Sequence, residues 1–143
     1  MRRLLAVAAF AALLAAQPAL AEIGRVKSSV GVVSIQRAGR PLPVSPGVKL
    51  EPGDVLVTGK TGRLGVAFTD NTRFAVGPNS RVALTEYIYD RTRQTGSFLT
   101  SVNRGSLGVV SGRIAKSQRD AMRVRTPTSM LGVRGTKFVV EVP

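Results

Sequence analysis

Apolar residues along the 143-residue chain fall into short alternating runs separated by turn residues. The clearest runs lie between residues 50 and 84. Val55, Leu56 and Val57 follow a Glu51-Pro52-Gly53-Asp54 turn, and Gly59 to Gly62 form another. Leu64, Val66 and Phe68 then alternate with small or polar neighbours up to Asp70-Asn71. Phe74 and Val76 repeat the pattern up to Gly77-Pro78-Asn79, and Val82 and Leu84 resume it. Successive strand side chains point to opposite faces, so a period of two predicts strands buried on one side. Such strands between turn signals about ten residues apart predict an all-β domain. The expected architecture is a compact sandwich or roll of short strands, with β-solenoid-like stacking as the alternative.

The flanks fit the same scheme. Val26, Val30, Val32, Val33 and Ile35, interrupted by Gly31, predict one or two strands. Ala38-Gly39-Arg40 and Ser45-Pro46-Gly47 read as turns, and Pro41 and Pro43 bracket an edge segment, since proline cannot donate to a ladder. Downstream, Phe98, Thr100 and Val102 predict a strand, Asn103-Arg104-Gly105 a turn, and Leu107 and Val109 a further strand continuing to Ile114. Beyond residue 21 no stretch shows a helical period.

Residues 124–142 predict two strands about a stiff corner. Thr126 before Pro127 is pushed towards extended backbone, and Gly132 and Gly135 flank Val133-Arg134 as a tight bend. Phe138, Val140 and Val142 alternate with Lys137, Val139 and Glu141. This last strand is expected to pair inside the sheet and close the fold, with Phe68, Phe74 and Phe138 in the core.

The first 21 residues stand apart. Arg2 and Arg3, the apolar run over residues 4–14 and Ala19-Leu20-Ala21 match a secretory signal peptide. The expected organisation is a signal peptide over residues 1–21 and one β domain over 22–143. After cleavage no apolar run is long enough to span a membrane, so the expected location is periplasmic or extracellular.

Export changes the meaning of the charge. The chain has 21 Lys and Arg against 8 acids, a net +13. Residues 91–143 alone hold 10 basic and 2 acidic side chains. A strong basic balance points to an anionic partner. Outside the cytoplasm that partner is an anionic envelope polymer or an envelope protein rather than nucleic acid.

The residue inventory narrows the chemistry. There is no cysteine and no histidine, which removes disulfides, zinc sites and any triad or dyad using either residue. The segment from Gly53 to Thr61 has the composition of a phosphate loop, but five residues separate its glycines where four are needed. Two carboxylates are enough for glycoside hydrolysis, which keeps a carbohydrate-active enzyme as a minor alternative. The acids, however, sit mostly at turns, where Asp caps backbone groups. The expectation is no catalytic residue, no metal and no cofactor. Arg123, Arg125, Arg134 and Lys137 are the candidate contacts for an anionic ligand, with Arg123 and Arg125 opposite Val124. Tyr87 and Tyr89 share a strand face opposite Ile88. They are candidate carbohydrate or partner contacts, or else cover a sheet edge with their hydroxyls in water.

Three groups of residues together resemble the FecR family of exported β domains. The first is Gly53-Asp54 with Thr58-Gly59, Leu64, Phe68, Asp70, Pro78 and Ser80; the second is the segment from Gly105 to Ile114. The third is Thr126-Pro127 followed by Leu131-Gly132-Val133-Arg134-Gly135-Thr136 and Phe138. Where the family turn reads Asp-Gly-Ser, this chain has Asp70-Asn71-Thr72, and Asn tolerates the same left-handed backbone. The name-giving members are transmembrane regulators whose β domain lies outside the membrane. The resemblance therefore implies an exported, non-enzymatic binding or scaffold module. Its alternative is a sensory or signal-relay domain acting with a separate membrane regulator. It brings no catalytic residue.

Overall fold

The computed structural model describes residues 22–143. The signal-peptide expectation lies outside the described residues. Among these described residues twelve strands follow one another, with one short helix between the ninth and tenth. They are β1 (Gly24–Val30), β2 (Val33–Arg37), β3 (Arg40–Leu42), β4 (Lys49–Leu50), β5 (Val55–Thr58) and β6 (Arg63–Phe68). Then come β7 (Arg73–Val76), β8 (Arg81–Asp90), β9 (Thr95–Val110), α1 (Arg113–Ser117), β10 (Met122–Arg125), β11 (Met130–Gly132) and β12 (Lys137–Val142). The fold is all-β, as the alternation predicts. The segment with phosphate-loop composition is strand β5 and its flanking turns.

The strands form one antiparallel sheet curled into a half-barrel, with a single parallel pairing between β9 and β10. Strand β9 belongs to both halves. Its first part pairs with β8 and β10, and its second part with β7 and β12. One half runs β3-β2-β5-β8-β9-β10-β11 and the other β4-β1-β6-β7-β9-β12. The core lies between them. Phe98 and Tyr87 from the first half meet Phe68 and Phe74 from the second, with ring centroids 4.7–5.6 Å apart. Offset and edge-to-face aromatic contacts of this kind add to the stabilisation from area burial.

Three sequence expectations change. Asn103-Arg104-Gly105 is a bend within one 16-residue strand, not a turn between two. Arg81 pairs with Arg104 but Val82 with Val102, so Asn103 is the extra residue of a bulge. Gly105 follows at φ +92°, which redirects the strand from one half to the other. Ile114, expected to extend a strand, is buried in α1. A five-residue helix is too short to show a 3.6-residue period. Its start is held instead by Asp70, whose carbonyl accepts from Arg113 N–H (2.8 Å) and whose carboxylate accepts from Ile114 N–H (3.2 Å).

The third change concerns residues 124–142. The expected corner is a β10–β11 hairpin followed by a loop. The hairpin is closed by Thr126 N–H to Ser129 O (2.8 Å) and Ser129 N–H to Thr126 Oγ1 (3.0 Å). The loop is clamped by Ser111, which donates from its N–H to Thr136 O (2.9 Å) and from Oγ to Gly135 O (2.7 Å). Neither Gly132 nor Gly135 holds a positive φ. Strand β12 buries Val140 and half-buries Phe138 and Val142, the face expected, while Phe68 and Phe74 are fully in the core. It pairs with β9 alone, so it is an edge strand and does not close the fold.

Candidate functional site

Tyr87 is only 7% exposed and offers no ring to a sugar, nor its hydroxyl to water. A register shift between Leu84 and Glu86 is the reason. Val82 and Leu84 face the core, and the bulge moves the inward set from even to odd positions, to Tyr87 and Tyr89. Ile88 faces outward and is 62% exposed. The Tyr87 hydroxyl donates to Asp70 Oδ1 (3.0 Å), accepts from Asp70 N–H (3.0 Å) and lies 2.9 Å from Thr69 Oγ1. Burial pushes its phenol well above the ordinary tyrosine range. Tyr89 is half-buried against the core, with a hydroxyl that has no hydrogen-bond partner among the described residues.

The two buried carboxylates are held by backbone and side-chain donors. Asp54 receives Arg37 Nε (2.9 Å), Arg37 Nη2 (2.8 Å) and Glu51 N–H (2.9 Å). The hydrogen bond to Asp54 raises the Arg37 guanidinium further above its already high range. Asp70 receives Thr72 N–H (3.1 Å), Thr72 Oγ1 (2.7 Å), the Tyr87 hydroxyl and Ile114 N–H. Such saturated carboxylates fix turns. Among the described residues no three His, Cys, Asp or Glu side chains are grouped to hold a metal.

The four basic candidates separate in space. Arg123 and Arg125 lie opposite buried Met122 and Val124, on the outer face of the half that contains β10. Arg123 is half-buried, with Nε unpartnered among the described residues, and Arg125 is exposed. Arg134 is exposed in the loop before β12. Lys137 projects from the outer face of the other half, where it has different company. Register carries one cross-strand row through Arg25, Ala67, Arg73, Val110 and Lys137. Three cations thus alternate with two apolar residues, Ala67 and Val110, along one line. Strands lie about 4.8 Å apart, so consecutive cations on the row are roughly 10 Å apart at the backbone.

Beside this row runs a second, through Ser28, Gly65, Ala75, Gly108 and Val139. The small side chains of all but Val139 leave a shallow trough, with Arg63 and Glu141 on the far side. Two grooves of about 420 and 360 Å³ lie along it. Arg25 bonds the Glu22 carboxylate and holds it below the usual range. The site is therefore a basic lip beside a smooth trough on the outer face of the β1-β6-β7-β9-β12 half. Arg25 and Arg73 were missed from sequence because they lie 48 residues apart, with Arg73 a further 64 residues before Lys137, and only strand register aligns them. The one available signal was that both occupy outward positions of alternating strands.

The curled antiparallel half-barrel defines the class as an all-β domain, and the family comparison says which. The family model described as FecR protein matches residues 54–142. The chain belongs to the FecR family. Comparisons with curated proteins and with solved structures returned no match. Among the described residues no helix is long and apolar enough to cross a membrane.

Proposed function

We propose that this chain is a non-enzymatic binding or scaffold module of the bacterial cell envelope, exported and processed to begin at Glu22, which holds an anionic envelope polymer or the acidic surface of an envelope protein. The observation that carries the reading is the row Arg25, Arg73 and Lys137 beside the trough. Cations fixed on rigid strands meet a linear polyanion without much loss of side-chain freedom, and a floor of Ser28, Gly65, Ala75 and Gly108 lets a chain lie close to the sheet. The saturation of Asp54 and Asp70 by structural hydrogen bonds supports a role without acid–base chemistry. Family membership favours a second reading, a signal-relay domain working with a separate membrane regulator.

The test uses dextran sulfate and vesicles of anionic lipid as probes. Binding should weaken as salt rises. Arg73→Ser with Lys137→Ser should lower affinity roughly tenfold, while Arg40→Ser with Arg125→Ser, exposed on the other half, should change it less than twofold. Equal losses from both pairs would reduce the effect to net charge and overturn the assignment of the face.

A further inference from the structure

Strand β12 leaves one edge of the sheet free, and that edge is complementary to itself. Its hydrogen-bond phase follows from two contacts. Ser111 N–H bonds Thr136 O (2.9 Å), and Gly77 N–H bonds Ser106 O (3.0 Å). In an antiparallel ladder bonded and non-bonded pairs alternate. With Val140 opposite Leu107, the backbone groups of Phe138, Val140 and Val142 therefore point at β9. Those of Lys137, Val139 and Glu141 point away, and among the described residues none has a partner. The hairpin after β10 does not cover them: an open groove of about 530 Å³ separates it from β12. Val139, at the centre of this edge, is 68% exposed.

We propose that two copies of this chain associate edge to edge through β12, antiparallel, about a two-fold axis at Val139. In that register Val139 faces its own copy, and Lys137 of each chain faces Glu141 of the other. All three outward residues then become bonded pairs, each exchanging both backbone bonds. Oppositely charged residues directly across a ladder stabilise it, and a two-fold interface requires such self-complementarity. A shift of two residues either way sets Lys137 or Glu141 against valine and loses both ion pairs. Charged residues on an edge ordinarily deter pairing; here their order along the strand matches the reversed strand. The pairing would also join the two troughs end to end through Val139. The inference rests on the register of β12 alone, independent of the anionic-ligand reading.

Sedimentation velocity of the exported chain should show a reversible dimer in the micromolar range. Glu141→Lys alone and Lys137→Glu alone should each weaken association roughly tenfold or more, with unchanged melting, because like charges then face each other. Mixed in equal amounts, these two variants should form a heterodimer, and the double exchange in one chain should restore the homodimer. Val139→Cys should cross-link under oxidation, whereas Val32→Cys, at a position 70% exposed elsewhere, should not. A wild-type chain that stays monomeric to high micromolar concentration, or a dimer indifferent to both charge reversals, would overturn the proposal.

Discussion

Asp70 shows how much one residue can organise. Its carboxylate closes the β6–β7 turn through Thr72, anchors β8 through Tyr87 and starts α1 through Ile114. The sequence marks it as a turn residue, which it is. That Tyr87 docks on it was not legible, because the bulge after Leu84 that turns Tyr87 inward has no signature in the sequence. Tyr87→Phe should cost roughly 1–3 kcal/mol at neutral pH, since Asp70 Oδ1 loses a buried donor. Its pH dependence follows from the raised phenol. The folded state keeps the proton after the unfolded chain has released it. The stability this provides is full below about pH 10, the unfolded value, and declines as pH rises above it. Urea unfolding at neutral and alkaline pH should show a smaller alkaline decline in Tyr87→Phe than in the wild type.

At the scale of elements, β9 carries the architecture because both halves pair with it. Its bend depends on Gly105, where a Cβ would come 2.0 Å from Ser80 Oγ and 2.5 Å from Ser80 Cα. The backbone there is also left-handed, which strains a β-branched residue. Gly105→Val should therefore cost roughly 3 kcal/mol or more. Gly135 looks equally special in the sequence, but its φ is not positive and a Cβ would meet only Lys137 O, at 3.9 Å. Gly135→Val should stay within about 1 kcal/mol. Thermal melts of the two variants, side by side, check the contrast. Both glycines read as bends from sequence. Only the packing around them separates a required glycine from a tolerated one.

For the whole molecule, the question is which sheet edges matter. The half-barrel leaves β3, β4, β11 and β12 at its margins. Strand β4 has two residues, β3 and β11 have three each, and β3 contains Pro41; short or proline-bearing edges pair poorly with other chains. Strand β12 is six residues long and packs Phe138, Val140 and Val142 against the core. A chain ending at Arg134 loses these three side chains and exposes Leu107 and Val109 beside them on β9. The expected loss is roughly 3–6 kcal/mol, against a total stability of about 5–15 kcal/mol for a domain. Near-UV circular dichroism of that chain should show no fixed aromatic packing, and its thermal transition should broaden or vanish.

The sequence by itself determined most of the strands, most of their turns and most of their buried faces. Alternation and turn chemistry are local, and a side chain's face is set by its parity along its own strand. Leu64, Val66, Phe68, Phe74 and Val76 needed nothing more. Tertiary structure decided what depends on the register between strands. It shifted the parity of β8 at a bulge and merged two expected strands into β9. It scattered Arg123, Arg125, Arg134 and Lys137 over two faces and a loop, and drew Arg25 and Arg73 into line with Lys137. Register is set by long-range packing and by bulges of a single residue. One residue of slip moves a whole face from core to solvent, so no local pattern can fix which strands' outward residues meet.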